Sequence, residues 1–181
     1  MESIFTYVET FSIVAGLITA LFGYKRWLKS LSLKRADYVN ELTNRIRTNE
    51  LITDALYLID YSSEWYTDDF HTSGLDENIK NSVEKKIDYT LSYFSYICYL
   101  FEKKIIARED FIFFKYYVHR ICSNDQVKDY LYNIYHFSKH CDVPCSFHYL
   151  IEYARNNGFI ADDFFDKESY KTGKYPKRLV F

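Results

Sequence analysis

Turn-forming residues are scarce. Five Gly and two Pro serve 181 residues, and neither type occurs between Gly23 and Gly74. Sustained apolar/polar alternation is missing as well, so a sheet-rich fold is excluded and the chain reads as all-α. No Gly-rich phosphate loop, Ser nucleophile elbow, His-Glu-x-x-His pair or dinucleotide fingerprint is present. No motif therefore points to any of the reaction classes those sequences serve. Four Cys occur without a Cys-x-x-Cys pair, and in a chain whose bulk is expected in the cytosol they read as free thiols. A basic surplus is lacking too. The net charge is −2, and Thr48–Phe181 alone carries −5, so no nucleic-acid partner is expected. What is abundant is apolar surface. Hydrophobic residues make up 48% and aromatics 20%, with 19 Tyr and 15 Phe. That is enough for a packed core and excludes disorder.

The one long apolar run is Ile4–Tyr24, IFTYVETFSIVAGLITALFGY, in which Glu9 is the only acidic residue and no basic residue occurs. Its 21 residues make a helix of about 31 Å, against a bilayer core of about 30 Å. It reads as a single membrane-spanning helix. A buried core helix and a cleaved signal peptide are the alternatives; Met1–Ser3 carries no basic residue to start a signal peptide. Seven basic and two acidic residues lie between Lys25 and Arg47. Basic flanks stay in the cytoplasm, which predicts a single-pass inner-membrane protein with an external N-terminus and a cytoplasmic C-terminal domain. Tyr24, Lys25, Arg26, Trp27 and Lys29 are the expected interface collar, with anionic lipid headgroups as partners. Ser12, Gly16 and Ala20 fall four apart, as do Ala15, Thr19 and Gly23. Small residues at that spacing let membrane helices approach, so self-association is expected there.

The expected organisation is an anchor over 1–24, a basic juxtamembrane helix over 25–48, a bundle of about five helices over 49–158 and an irregular tail over 159–181. Leu51, Ala55, Leu58 and Ile59 continue an apolar pattern past a kink near Asn49. Asp68–Asp76 is polar and reads as a loop. Ile79, Val83, Ile87, Leu91, Phe94, Cys98 and Phe101 form one stripe at helical spacing, which predicts the spine of the bundle. A break near Ile105–Arg108 leads to a helix burying Phe111, Phe114, Val118 and Ile121. Ser123 and Gln126 are spaced as a capping box for a helix with Val127, Leu131 and Ile134 inward. Pro144 suits the first turn of a last helix carrying Phe147, Leu150, Ile151 and Ala154. Asn156-Asn157-Gly158 is its stop.

The stretch Leu91–Val118, LSYFSYICYLFEKKIIAREDFIFFKYYV, pairs a Leu- and aromatic-rich helix with a short turn and a second aromatic helix. With the N-terminal apolar segment, it resembles the bacterial membrane-anchored DUF4760-like family. That resemblance implies an anchored helical domain of unassigned function. Ser95 stands where the family carries an acidic residue. Similar small anchored helical proteins occur among phage-defence and toxin-like effectors, an analogy of architecture only.

Candidate chemistry is confined to two kinds of site. Asp68-Asp69, Glu109-Asp110 and Asp162-Asp163 are adjacent carboxylates, which point apart on a helix and are usually solvated. His136, His140, Cys141, Cys145 and His148 offer N and S ligands across the Pro144 turn, so zinc is the candidate cofactor. Their spacing matches no standard zinc module; the other reading is a polar turn with packed thiols. The leading functional expectation is a non-enzymatic, membrane-tethered interaction module with a protein partner or a homo-oligomer. The alternatives are a membrane-disrupting effector and a metal-binding domain.

Overall fold

Asn49 is the first residue to interrupt the helical run. The computed structural model describes residues 2–61, 64–68, 70, 71 and 77–181, with side chains described from residue 11 onward except at 12, 13 and 77–82. It is all-helical among those residues. The α-helices are α1 (Glu2–Thr48), α2 (Glu50–Tyr61), α3 (Glu77–Glu102), α4 (Arg108–Ser123), α5 (Asp125–His140) and α6 (His148–Asn156). Two 3-10 turns follow, Asp162–Phe165 and Lys167–Thr172. The chain divides into a first unit ending at Leu42 and a body, Thr43–Phe181.

The membrane span is not borne out. Among the described residues no helix is long and apolar enough to cross a membrane. The single-pass inner-membrane placement falls with it. The physical reason is length. Only 15 uncharged residues, Thr10–Tyr24, precede Lys25, and at about 22 Å of helix they fall short of a hydrocarbon core of about 30 Å. The side chains of Ile4–Thr10, Ser12 and Ile13, on which the longer stretch relied, lie outside the described residues. Tyr24, Lys25, Arg26, Trp27 and Lys29 are exposed on α1, and the collar role expected of them depended on that span. Gly16, Ala20 and Gly23 are exposed too.

In the body, Asn49 ends α1 and begins α2. Its Oδ1 accepts from the backbone amides of Leu51 (3.0 Å) and Ile52 (3.3 Å), the N-cap role that suits Asn. α2 buries Ile52, Ala55, Leu56 and Ile59. α3 is the spine, packing chiefly on α2 and α6. Ile87, Leu91, Phe94 and Cys98 of the expected stripe are buried, joined by Thr90, Tyr93, Ser95, Ile97 and Leu100. Ile79 lies where side chains are not described. A helix apolar on so many sides belongs in the middle of a bundle.

The ends of α3, α5 and α6 share one device. Ile105, Val143 and Phe159 each donate to the carbonyl five residues back, on Leu100, Ser138 and Ala154. The preceding residue, Lys104, Asp142 or Gly158, sits at φ 56°, 54° or 74°. This is the Schellman stop, where the chain turns through the left-handed region. The expected capping box at α5 is replaced. Asn124 is the N-cap, its Oδ1 accepting from Val127 N at 3.0 Å. Gln126 is used elsewhere: its Oε1 accepts from the amides of Trp65 (2.7 Å) and Tyr66 (2.8 Å). Pro144 precedes α6 by four residues instead of opening it.

The segment 159–181 is integrated into the core. Phe164 and Tyr175 are buried, and Tyr175 stacks on Tyr132 at 4.7 Å between centroids. The Tyr132 hydroxyl donates to the carbonyls of Asp166 and Lys167. Asn133, fully buried, holds the final stretch: Nδ2 donates to Pro176 O (2.8 Å), and Oδ1 accepts from Arg178 N (2.6 Å) and Leu179 N (3.1 Å).

Candidate interaction surface

α2 and α4 carry large aromatics on the faces they turn to solvent. Opposite its buried Ile52, Ala55, Leu56 and Ile59, α2 exposes Tyr57 and Tyr61. They are one helical turn apart, and their rings stack at 5.9 Å. α4 buries Phe111, Phe114, Val118 and Ile121, yet leaves Ile112, Phe113 and Tyr116 exposed. Tyr57, Tyr61 and Tyr116 are 66%, 79% and 67% exposed. Such clustering is unusual on a surface with no partner.

Arg120 joins the two helices. Its guanidinium pairs with Asp60, donates from Nη2 to the Leu56 carbonyl at 3.0 Å, and lies 5.8 Å from the Tyr116 ring centroid. It thereby ties the last turns of α2 to α4 and to the Tyr116 ring. On one side of it is a cleft of about 340 Å³, lined by Arg47, Thr53, Tyr57, Tyr61 and Tyr117 among others. On the other is a hollow of about 460 Å³ with Ile112, Lys115, Tyr116 and His119. His119 is bonded to the Tyr153 hydroxyl at 3.1 Å. Burial, helped by Lys115, lowers its pKa and so favours the neutral imidazole. Arg47, Lys115 and Arg120 against Asp60 leave this face locally positive on a body that is negative overall.

The expected zinc ligands are dispersed. His136 is buried; its Nε2 lies 2.9 Å from the Phe164 carbonyl, and its ring stacks on Phe181 at 5.3 Å. His140 and Cys141 are exposed at the end of α5, and His148 is exposed at the start of α6. Cys145 is half-buried, and burial pushes its thiol pKa up, which disfavours the thiolate that zinc requires. Among the described residues no group of three or more His, Cys, Asp or Glu is placed to hold a metal. Of the carboxylate pairs, Asp162 bonds Arg155 (3.0 Å) and Asp163 bonds Lys174 (2.5 Å). Asp110 caps the Ala107 amide at 3.3 Å, and Asp69 lies outside the described residues.

One arrangement has the outline of an acid–base relay. The Tyr66 hydroxyl lies 3.1 Å from His71 Nε2, and His71 Nδ1 lies 3.7 Å from Glu84. Phe70, Trp65 and Tyr130 pack around it, and the Tyr130 hydroxyl donates to Asp88 at 2.5 Å. Burial pushes the Tyr66 hydroxyl far above the ordinary phenol pKa. That is the reverse of an activated nucleophile or base. The cluster fastens the chain between α2 and α3 onto α5.

No protein family, curated protein or solved structure matches this chain.

Proposed function

We propose that the chain is a non-catalytic helical interaction module whose α2/α4 face docks a protein partner. The reading rests on one observation: Arg120, held by Asp60 and the Leu56 carbonyl, stands among three Tyr side chains that are 66–79% exposed. Tyr and Arg dominate binding hot spots because they bring large, stiff contact area with a polar end. Pre-positioned side chains also lose less entropy on binding. The partner that fits is a protein segment with an apolar centre and an acidic margin, matching Arg47 and Lys115 at the rims.

The test compares the natural chain with a Tyr57→Ser, Tyr61→Ser, Tyr116→Ser variant. Each carries a photo-crosslinker at Phe113 and is expressed in its native cells. A defined partner captured by the natural chain should fall roughly tenfold or more in the variant, equivalent to about 1.4 kcal/mol of binding. Equal capture by a variant with unchanged thermal stability refutes the assignment of this face.

A further inference from the structure

We propose that α1 is a dimerisation element and that the surface covering its apolar stripe is a second copy of α1, running antiparallel. Large apolar residues recur along α1 at alternating steps of three and four: Val14, Leu17, Leu21, Tyr24, Leu28 and Leu31. That is the a/d pattern of a coiled coil. All six are between 43% and 61% exposed, although such a seam is made to be buried. Ile18 and Trp27 flank it and are about half exposed as well. At roughly 100 Å² each, these eight residues from two copies remove on the order of 1,600 Å² from water, the size of a standard specific interface. Gly16, Ala20 and Gly23 fall off the seam, so close backbone approach through small residues plays no part.

Charge sets the direction. Lys25, Arg26, Lys29, Lys34 and Arg35 are five basic residues with no acidic residue among them, whereas Phe11–Tyr24 is uncharged and Glu2 and Glu9 precede it in sequence. A parallel pair sets the two basic halves side by side. An antiparallel pair sets each basic half along the uncharged half of the other copy and brings it toward the acidic end of the sequence. In that arrangement Val14 faces Leu31 of the second copy, Leu17 faces Leu28, and Leu21 faces Tyr24. Every layer then joins an a position to a d position.

Sedimentation equilibrium of the full chain at micromolar concentration tests this. The expected mass is twice 21.8 kDa. Leu21→Asp with Leu28→Asp should weaken association by roughly a hundredfold or more. Leu33→Asp, on the opposite side of α1, should leave it unchanged. Circular dichroism verifies that each variant keeps its helix content. Direction is read by disulfide trapping in a Cys141→Ser background. Leu17→Cys mixed with Leu28→Cys should cross-link, while neither should cross-link alone. A monomer, with or without binding to phosphatidylcholine vesicles, overturns the proposal, as do aggregates of no fixed size. Equal disruption by Leu33→Asp, or a disulfide between two Leu17→Cys chains, also overturns it.

Discussion

Replacing Asn133 by Ala tests whether the C-terminal segment is part of the fold. Asn133 is fully buried on α5, and its amide is the shared partner of three backbone groups: Pro176 O, Arg178 N and Leu179 N. Its fourth bond, to Asp129 O at 2.9 Å, falls within the helix and matters less. An Ala leaves those three groups unpaired. A buried group without a partner costs about 1–3 kcal/mol. Residues 176, 178 and 179 are half-buried, so water reaches them in part and the low end applies, for a sum of about 3 kcal/mol. In a chain of this size that lowers Tm by roughly 6–12 °C. The assays are urea and thermal unfolding followed by far-ultraviolet circular dichroism, with trypsin digestion as a local probe. Lys174, Lys177 and Arg178 should become cleavable well below the global transition. Asn133→Asp still accepts from the Arg178 and Leu179 amides but loses the donor to Pro176 O and buries a charge, so its deficit should shrink on acidification, when the carboxyl regains a proton to donate. A loss of less than about 1 kcal/mol for Asn133→Ala, with tryptic resistance intact, would refute the account.

Three further outcomes follow from the same geometry. Burial raises the Asp129 pKa to about 6, opposed by Arg178 and Lys128. A carboxyl raised in the fold contributes stability below about pH 4 and loses it as pH climbs through about 6. Asp129→Asn should therefore gain about 1 kcal/mol at pH 7.5 after allowance for solvent screening and nothing at pH 4, measured by urea unfolding; a loss at pH 7.5 contradicts this. Lys104→Gly should stabilise the chain by about 0.5–1 kcal/mol and Gly158→Ala destabilise it by a similar amount, because both positions need the left-handed backbone; thermal melts of the two variants should move in opposite directions. Arg120→Ala should cost about 1–2 kcal/mol, since it strips Asp60 and the Leu56 carbonyl of a partner, and Arg120→Lys should recover only part of that in the same melts.

Period-based features were legible from sequence. The α3 stripe through Ile87, Leu91, Phe94 and Cys98 is buried because steps of three and four stay on one side of a helix. Asn49 and Gly158 were readable as breaks because their residue types favour caps. Lys104 was not, since nothing in a Lys announces positive φ, and Asp142 gave only the weak signal of a residue type that tolerates the left-handed region; in both, the following residue's bond to the carbonyl five back imposes it. Gln126 looked like half of a capping box, and only the folded chain brings Trp65 and Tyr66 within its reach. Residues 159–181 lack helical period, so their packing onto Tyr132 and Asn133 was invisible. The apolar stretch at the N-terminus satisfied a composition rule, but its uncharged part is too short for the bilayer. The α2/α4 face was half legible: Tyr57 and Tyr61 sit on the polar side of a helical repeat, which was a usable signal. Arg120 was not, because its partner Asp60 lies 60 positions away.

Arg178 bonds the carbonyl of Tyr66, 112 positions upstream, and its guanidinium lies 4.6 Å from that ring. During synthesis, helices α2 to α6 emerge before this latch exists. The Trp65–Tyr66–Phe70 knot is thus left unsealed on the ribosome until residues near 178 clear the exit tunnel. A contact over so large a sequence separation carries a large loop-closure entropy, and a chain that ends before Arg178 leaves that aromatic knot without its latch.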